Sequence, residues 1–143
     1  MAARPTERVS FVLAAAAIAL IAAAVLRWPA AAADGDAARG ERVFQRCYSC
    51  HSVDPHETAT LSGPSLYRVV GRRAASLAEF DYSDALRARA AEGLVWTEEA
   101  ITAFVTDPQT FLPGVSMGFF GLDDPQQRAD LIAYLRRAGE TPP

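Results

Sequence analysis

At 143 residues the chain has room for one domain once any targeting segment is set aside, and it contains two cysteines and no lysine. With Glu7 taken from the 17 acidic residues, and Arg4, Arg8 and Arg27 from the 14 basic ones, the part from Asp34 onward carries a net charge of about −5. That balance argues against nucleic acid and against an anionic lipid surface as partners.

The first 33 residues read as a leader. Arg4 and Arg8 form a charged start, Phe11 to Leu26 is an unbroken apolar run of 16, and Arg27-Trp28-Pro29 leads into an alanine tract ending at Ala33. The order matches a signal peptide with an A-x-A-like cleavage site. An uncleaved membrane anchor is the alternative, although 16 residues fall short of the ~20 that span a bilayer. In both cases the arginine-flanked start stays cytoplasmic and residues 34–143 are exported to the periplasm. Contact with a membrane is expected only if the leader is retained.

Asp36 can cap a first helix running towards Cys50, with Gly40, Val43, Phe44 and Cys47 on one stripe at helical spacing. The next five residues are Cys47-Tyr48-Ser49-Cys50-His51. The pattern C-x-x-C-H in an exported protein reads as a c-type haem attachment site, with both thiols added to the vinyl groups of one haem and His51 as proximal ligand to the iron. A thioredoxin-like dithiol needs a βαβ setting that does not flank Cys47. A structural zinc site needs four tetrahedral ligands, and adjacent Cys50 and His51 would struggle to share one with Cys47 and His56. A domain of about 110 residues buries a modest core, so a covalent haem would sit at its centre and the apoprotein is expected to fold poorly.

From Ser52 to Leu66 the turn-forming residues Pro55, Ser62, Gly63 and Pro64 read as an extended loop. Ser83 or Asp84 can start a short helix through Ala90 that stops near Gly93. Thr97, followed by Glu98 and Glu99, starts another that carries Ile101, Phe104 and Val105 and ends before Pro108. In the last helix Asp124 sits at N-cap, Pro125 at the first helical position and Gln127 three beyond the cap, with Gly139 as the stop. Its apolar face is Leu131, Ile132, Tyr134 and Leu135. No convincing strand is present, so an all-α domain is expected.

A six-coordinate haem needs a ligand opposite His51. His56 is too close in sequence to pass around the ring, and Met1 begins the leader, which leaves Met117 in the Pro/Gly-rich stretch 111–121, about 65 residues after His51. A lone methionine is otherwise usually core filler. Histidine–methionine ligation raises the reduction potential relative to other axial sets.

The protein resembles the class I c-type cytochromes, in particular the mitochondrial and bacterial soluble group, from about Gly40 to Arg137. The resemblance is carried by Gly40-Glu41-Arg42-Val43-Phe44, Gly63-Pro64-Ser65-Leu66, Gly71-Arg72, Tyr82-Ser83-Asp84-Ala85, Gly93-Leu94-Val95-Trp96, Pro113-Gly114 with Met117, and Asp130-Leu131-Ile132-Ala133-Tyr134-Leu135. It implies a fold of helices and loops around one covalent haem c. The first and last helices would cross near Gly40, with Leu131 and Tyr134 approaching closely. It also implies a Pro64 carbonyl that accepts the second N–H of His51, and Arg72, Tyr82 and Trp96 on the propionates. The bland alternatives are core aromatics for Tyr82 and Trp96 and a solvated charge for Arg72.

Departures from the family pattern are as informative. Phe104 replaces a tyrosine whose hydroxyl reaches the ligand sulfur, and Val115 a threonine that helps hold a propionate. Gln109, Thr110 and Ser116 stand for lysines around the haem edge, and Asp123 with Asp124 reverses two more charges. Only Arg42 and Arg46 keep the positive sign, so electrostatic docking should be weaker. The resemblance implies a monomeric one-electron carrier, not an enzyme, exchanging electrons with periplasmic or membrane-bound reductase and oxidase partners. The alternatives are the electron-accepting subunit of a periplasmic dehydrogenase and, on the Phe104 and Val115 changes, a haem ligand sensor or peroxidase.

Overall fold

Each helix begins on a short polar side chain that accepts a backbone N–H, the arrangement that satisfies otherwise orphaned amides of a first turn. The computed structural model describes residues 34–140 and Pro142; the expected leader, residues 1–33, lies outside them. Asp36 accepts from the Arg39 amide at 2.7 Å and opens α1 (Ala37–Phe44). Ser83 accepts from Leu86 and opens α2 (Asp84–Ala91), and Thr97 accepts from Ala100 and opens α3 (Glu98–Thr106). Asp107 ends α3 and, accepting from Thr110, starts the one-turn α4 (Pro108–Phe111), which the sequence did not signal beyond the break at Pro108. Asp124 accepts from the Gln126 amide at 2.8 Å at the head of α5 (Pro125–Glu140).

Two boundaries differ from expectation. The first helix stops at Phe44 and continues to Cys50 as turns, because Arg46, Cys47 and Cys50 each bond the carbonyl three residues back. Gly139 does not stop the last helix, which runs on to Glu140. Its missing side chain serves packing instead, since a Cβ there would lie 3.2 Å from Arg68 Cα. Arg68 holds a left-handed φ of 52° and donates from Nε to the Gly139 carbonyl at 3.2 Å.

The largest interhelical contact in the described domain is α1 against α5. A Cβ on Gly40 would collide with the Asp130 carbonyl and come within 2.7 Å of Tyr134 Cβ. The crossing therefore uses Gly40 as expected, with Tyr134 but with the Asp130 backbone in the place expected for Leu131. Phe44 and Tyr134 continue the contact, ring centroids 5.2 Å apart. Leu131, Ile132 and Leu135 on α5 join Phe44, Ile101, Leu112 and Leu122 in one core.

Asp130 is buried, 2% exposed, and fully engaged. It accepts from Arg39 Nε at 2.8 Å and Nη2 at 2.9 Å, from the Asp36 amide at 2.8 Å and from Gln126 Nε2 at 3.0 Å. The bidentate Arg39 fork, helped by the Asp36 amide and Gln126, holds its carboxyl well below the usual carboxylate range against the opposing effect of burial.

Sheet structure among the described residues is limited to an isolated antiparallel bridge between Arg73 and Val95. The domain is thus all-α, and among the described residues no helix is long and apolar enough to cross a membrane.

Gly40→Ala must push the helices apart or distort α5, at a cost of about 2 kcal/mol for overpacking. Thermal unfolding of the holoprotein should show a melting temperature about 10 °C lower; an unchanged value would contradict the close crossing. Asp130 has a lowered native pKa, so its stabilisation is complete above about pH 4, where the unfolded carboxyl is also ionised, and fades as pH falls towards the native value. Asp130→Asn should be less stable at pH 7 and lose less on acidification from pH 5 to 2 than the parent, as read by acid titration of helical circular dichroism. Parallel acid curves for both proteins would count against this.

Candidate functional site

The turns after α1 gather both thiols and one imidazole within a single helical-type turn. Cys50 N and His51 N both donate to the Cys47 carbonyl, at 3.0 and 2.9 Å. Cys47 packs against the core, and burial, reinforced by the charge of Cys50 and opposed by Arg46, pushes its thiol up to about 11. Cys50 is exposed, and hydrogen bonds from Ser62 and then Ser49 lower its pKa. Both are free thiols, not a disulfide.

The loop after the motif folds back and fixes the His51 ring. Gly63 N donates to the Cys50 carbonyl at 2.9 Å and Leu66 N to the Ser52 carbonyl at 2.8 Å. A Cβ on Gly63 would run into His51 Cε1 and sit 2.6 Å from Nδ1, so the imidazole rests directly on the Gly63 backbone. His51 Nδ1 lies 2.8 Å from the Pro64 carbonyl oxygen. A carbonyl can only accept, so Nδ1 carries the proton and Nε2 keeps its lone pair in the neutral ring. Burial lowers the His51 pKa, with Pro64 opposing, which favours that neutral form. His56, by contrast, is exposed in the loop, its amide bonded to Asp54 Oδ1 at 2.8 Å.

Arg72, Tyr82 and Trp96 come together from three distant stretches. Trp96 N donates to the Arg72 carbonyl and Gly71 N to the Trp96 carbonyl, both at 2.9 Å, flanking the Arg73–Val95 bridge. The half-buried Arg72 guanidinium donates from Nη2 to Ser65 O at 2.7 Å and from Nη1 to Tyr67 O at 3.1 Å. Those neutral acceptors orient the cation without cancelling its charge. Burial lowers its pKa, and the charges of Tyr82 and Glu79 oppose that. Burial raises the pKa of the Tyr82 phenol, with the Leu77 backbone and Arg72 acting the other way. Tyr82 and Trp96 are core aromatics, and each also carries a polar end, the phenol hydroxyl and the indole N–H.

Met117 is half-buried in an irregular stretch strapped on both sides. Before it, Val115 N donates to the Leu112 carbonyl and Gln109 Nε2 to the Val115 carbonyl, each at 3.1 Å. After it, Gly121 takes a φ of 105°, and a Cβ there would collide with the Thr106 carbonyl. Leu122 then donates to the Val105 carbonyl at 2.8 Å and is 1% exposed. The Phe104 ring packs on Trp96 and Phe111, with centroids 5.1 and 5.8 Å away.

The residues present fit a c-type haem. The ring of His51 is locked as the tautomer that can ligate through Nε2, two unbridged thiols lie on the adjacent turn, and a half-buried cation is held by neutral carbonyls. Apolar side chains such as Leu66, Val70, Leu77, Leu94, Val105 and Val115 pack on the core while keeping part of their surface outside it. Sequence reasoning missed Gly63 as the surface under His51, Ser62 on the Cys50 thiol and Phe111 in the aromatic cluster. Only Gly63 had a readable signal, its place beside Pro64 in the matched segment.

Residues 37–139 match the family model for cytochrome c. The protein is similar to cytochrome c 2.1 of Caenorhabditis briggsae, 44% identical over 71% of this sequence and 87% of that protein. It is similar to cytochrome c2 of Rhodomicrobium vannielii, 41% identical over 82% of this sequence and 91% of its relative. The solved structure of cytochrome c2 from Rhodospirillum centenum superposes with a TM-score of 0.68 at 38% identity, covering 72% of this sequence and 98% of that one. With the family-model match over residues 37–139 taking in the helices and the C-x-x-C-H turn alike, the protein belongs to the cytochrome c family, as a class I electron carrier that holds one covalently attached haem c and is not an enzyme.

Proposed function

We propose that this protein is a periplasmic one-electron carrier of a respiratory or photosynthetic chain, its haem attached at Cys47 and Cys50 and ligated by His51 and Met117. The observation that carries the reading is the His51 Nδ1–Pro64 contact of 2.8 Å, which holds the half-buried imidazole neutral with Nε2 available. When bound, the haem supplies a single iron that exchanges one electron between ferric and ferrous states. The protein's own residues do the rest. Pro64 orients His51 and raises its basicity as a ligand. Met117, in a loop fastened at Val115 and Leu122, offers a neutral thioether that raises the potential. Arg72, Tyr82 and Trp96 hold the propionates, Arg72 as a charged donor pre-aimed by Ser65 and Tyr67. The apolar residues around them keep water out and limit rearrangement when the charge changes.

Export rests on the leader pattern of residues 1–33, which places residues 34–143 in the compartment where c-type haem is attached. The domain acts as a monomer with protein redox partners. Gln109, Thr110 and Ser116 in the place of the family's lysines favour a second reading, an electron-accepting subunit held by one periplasmic dehydrogenase. That reading predicts a complex that survives gel filtration, whereas the freely exchanging carrier elutes alone.

Met117→Ala should turn a low-spin holoprotein high-spin and remove its far-red sulfur-to-iron band. The reduced native protein should exclude carbon monoxide at neutral pH while the variant takes it up. A variant that stays low-spin would refute Met117 as ligand, and rapid carbon monoxide uptake by the native protein would support the sensor or peroxidase reading instead.

A further inference from the structure

Phe120 stands wholly in solvent, 102% exposed, three residues beyond Met117. Its neighbour Phe119 packs on the core. The exposure does not come from a loose end. Directly after Phe120, Gly121 is pressed against the Thr106 carbonyl in a conformation that L side chains rarely adopt. Leu122 follows as a buried plug, its amide donating to Val105 O and its carbonyl accepting from Arg128 Nη1 at 2.5 Å. The ring is thus presented on a fixed base, the condition under which one aromatic side chain dominates a protein contact. Its surroundings in sequence carry no cation from Gln109 to Gln127: Gln109, Thr110 and Ser116 are neutral, and Asp123 and Asp124 are exposed carboxylates.

We propose that Phe120 is the anchor of this carrier's docking face, and that its redox partner offers an apolar recess with a basic rim. A lysine-bearing carrier is steered onto acidic partners by charge; here the ring supplies the contact and the two aspartates set the sign of the surrounding field. A competing surface is the arginine stripe Arg39, Arg42 and Arg46 on and just after α1. Arg39 is neutralised by Asp130, which reduces the charge of that stripe to Arg42 and Arg46; the Ala38 carbonyl that Arg42 Nη1 meets at 3.1 Å orients that cation and leaves its charge in place. The inference rests on the carrier reading, in which the Met117 loop lies over the haem.

The test is voltammetry of the holoprotein on gold bearing alkanethiol monolayers of defined ends: mixed methyl and amine, methyl alone, and carboxylate. The mixed methyl/amine surface should hold the most electroactive protein. Phe120→Ser should raise the half-saturating concentration there about tenfold, the size of effect a central aromatic contact carries, while Phe120→Leu should raise it less than about threefold. Both variants should keep the native visible spectrum and potential, because the ring contributes nothing to the core. Equal binding by Phe120→Ser and the native protein would overturn the proposal. So would preferential capture by carboxylate monolayers that disappears in an Arg42→Gln, Arg46→Gln variant, which would assign docking to the arginine stripe. A native spectrum without the far-red band would refute Met117 ligation separately, and the monolayer comparison would still decide the role of Phe120.

Discussion

Gly40 lets α1 press directly onto the Asp130 carbonyl of α5, and the Arg39–Asp130 fork locks the two helices in that position. The contact constrains the site because α1 ends only three residues before Cys47. Wherever α5 holds α1, the thiols and His51 must follow. A carboxylate buried at such a crossing is stabilising only when all its acceptor capacity is used, and here an arginine, a backbone amide and a glutamine use it. Phe44 and Tyr134 then carry the packing from the crossing into the core.

Beyond that anchor, the site relies on backbone carbonyls as orienting groups. Pro64 fixes His51, and Ser65 and Tyr67 fix Arg72, so three near neighbours in one loop position both an imidazole and a cation. Carbonyls attached to a folded backbone keep their place when the charge of a cofactor changes, which suits a protein whose task is electron exchange with little rearrangement. The aromatic cluster of Trp96, Phe104 and Phe111 adds rigidity by close packing, with Phe104 contributing a ring and no hydroxyl.

Much of this was legible in residue order. Polar caps at Asp36, Thr97 and Asp124 are local features and each begins a helix where expected, while Ser83, one of the two starts the sequence offered beside Asp84, caps α2. C-x-x-C-H carries its own spacing constraint, and the family resemblance put Gly40 at the crossing. What failed depended on contacts distant in sequence. Gly139 looked like a stop because a glycine near a helix end usually is one, yet its partner is Arg68, 71 residues away. The family resemblance put Leu131 beside Gly40, whereas a missing side chain exposes backbone, and backbone is what Asp130 provides. Asp130 stood in the sequence only as the first residue of a segment matching the family, and its role emerges when the fold brings Arg39 to it.

The central claim is that this fold holds a haem between His51 and Met117 as a closed electron-carrying centre. Its most direct test is a visible spectrum of the purified holoprotein, ferric and ferrous, combined with a redox titration. Low-spin bands with the far-red sulfur-to-iron feature and a positive midpoint potential are the predicted result. A high-spin spectrum, or a strongly negative potential, would contradict it and show that Met117 does not bind the iron.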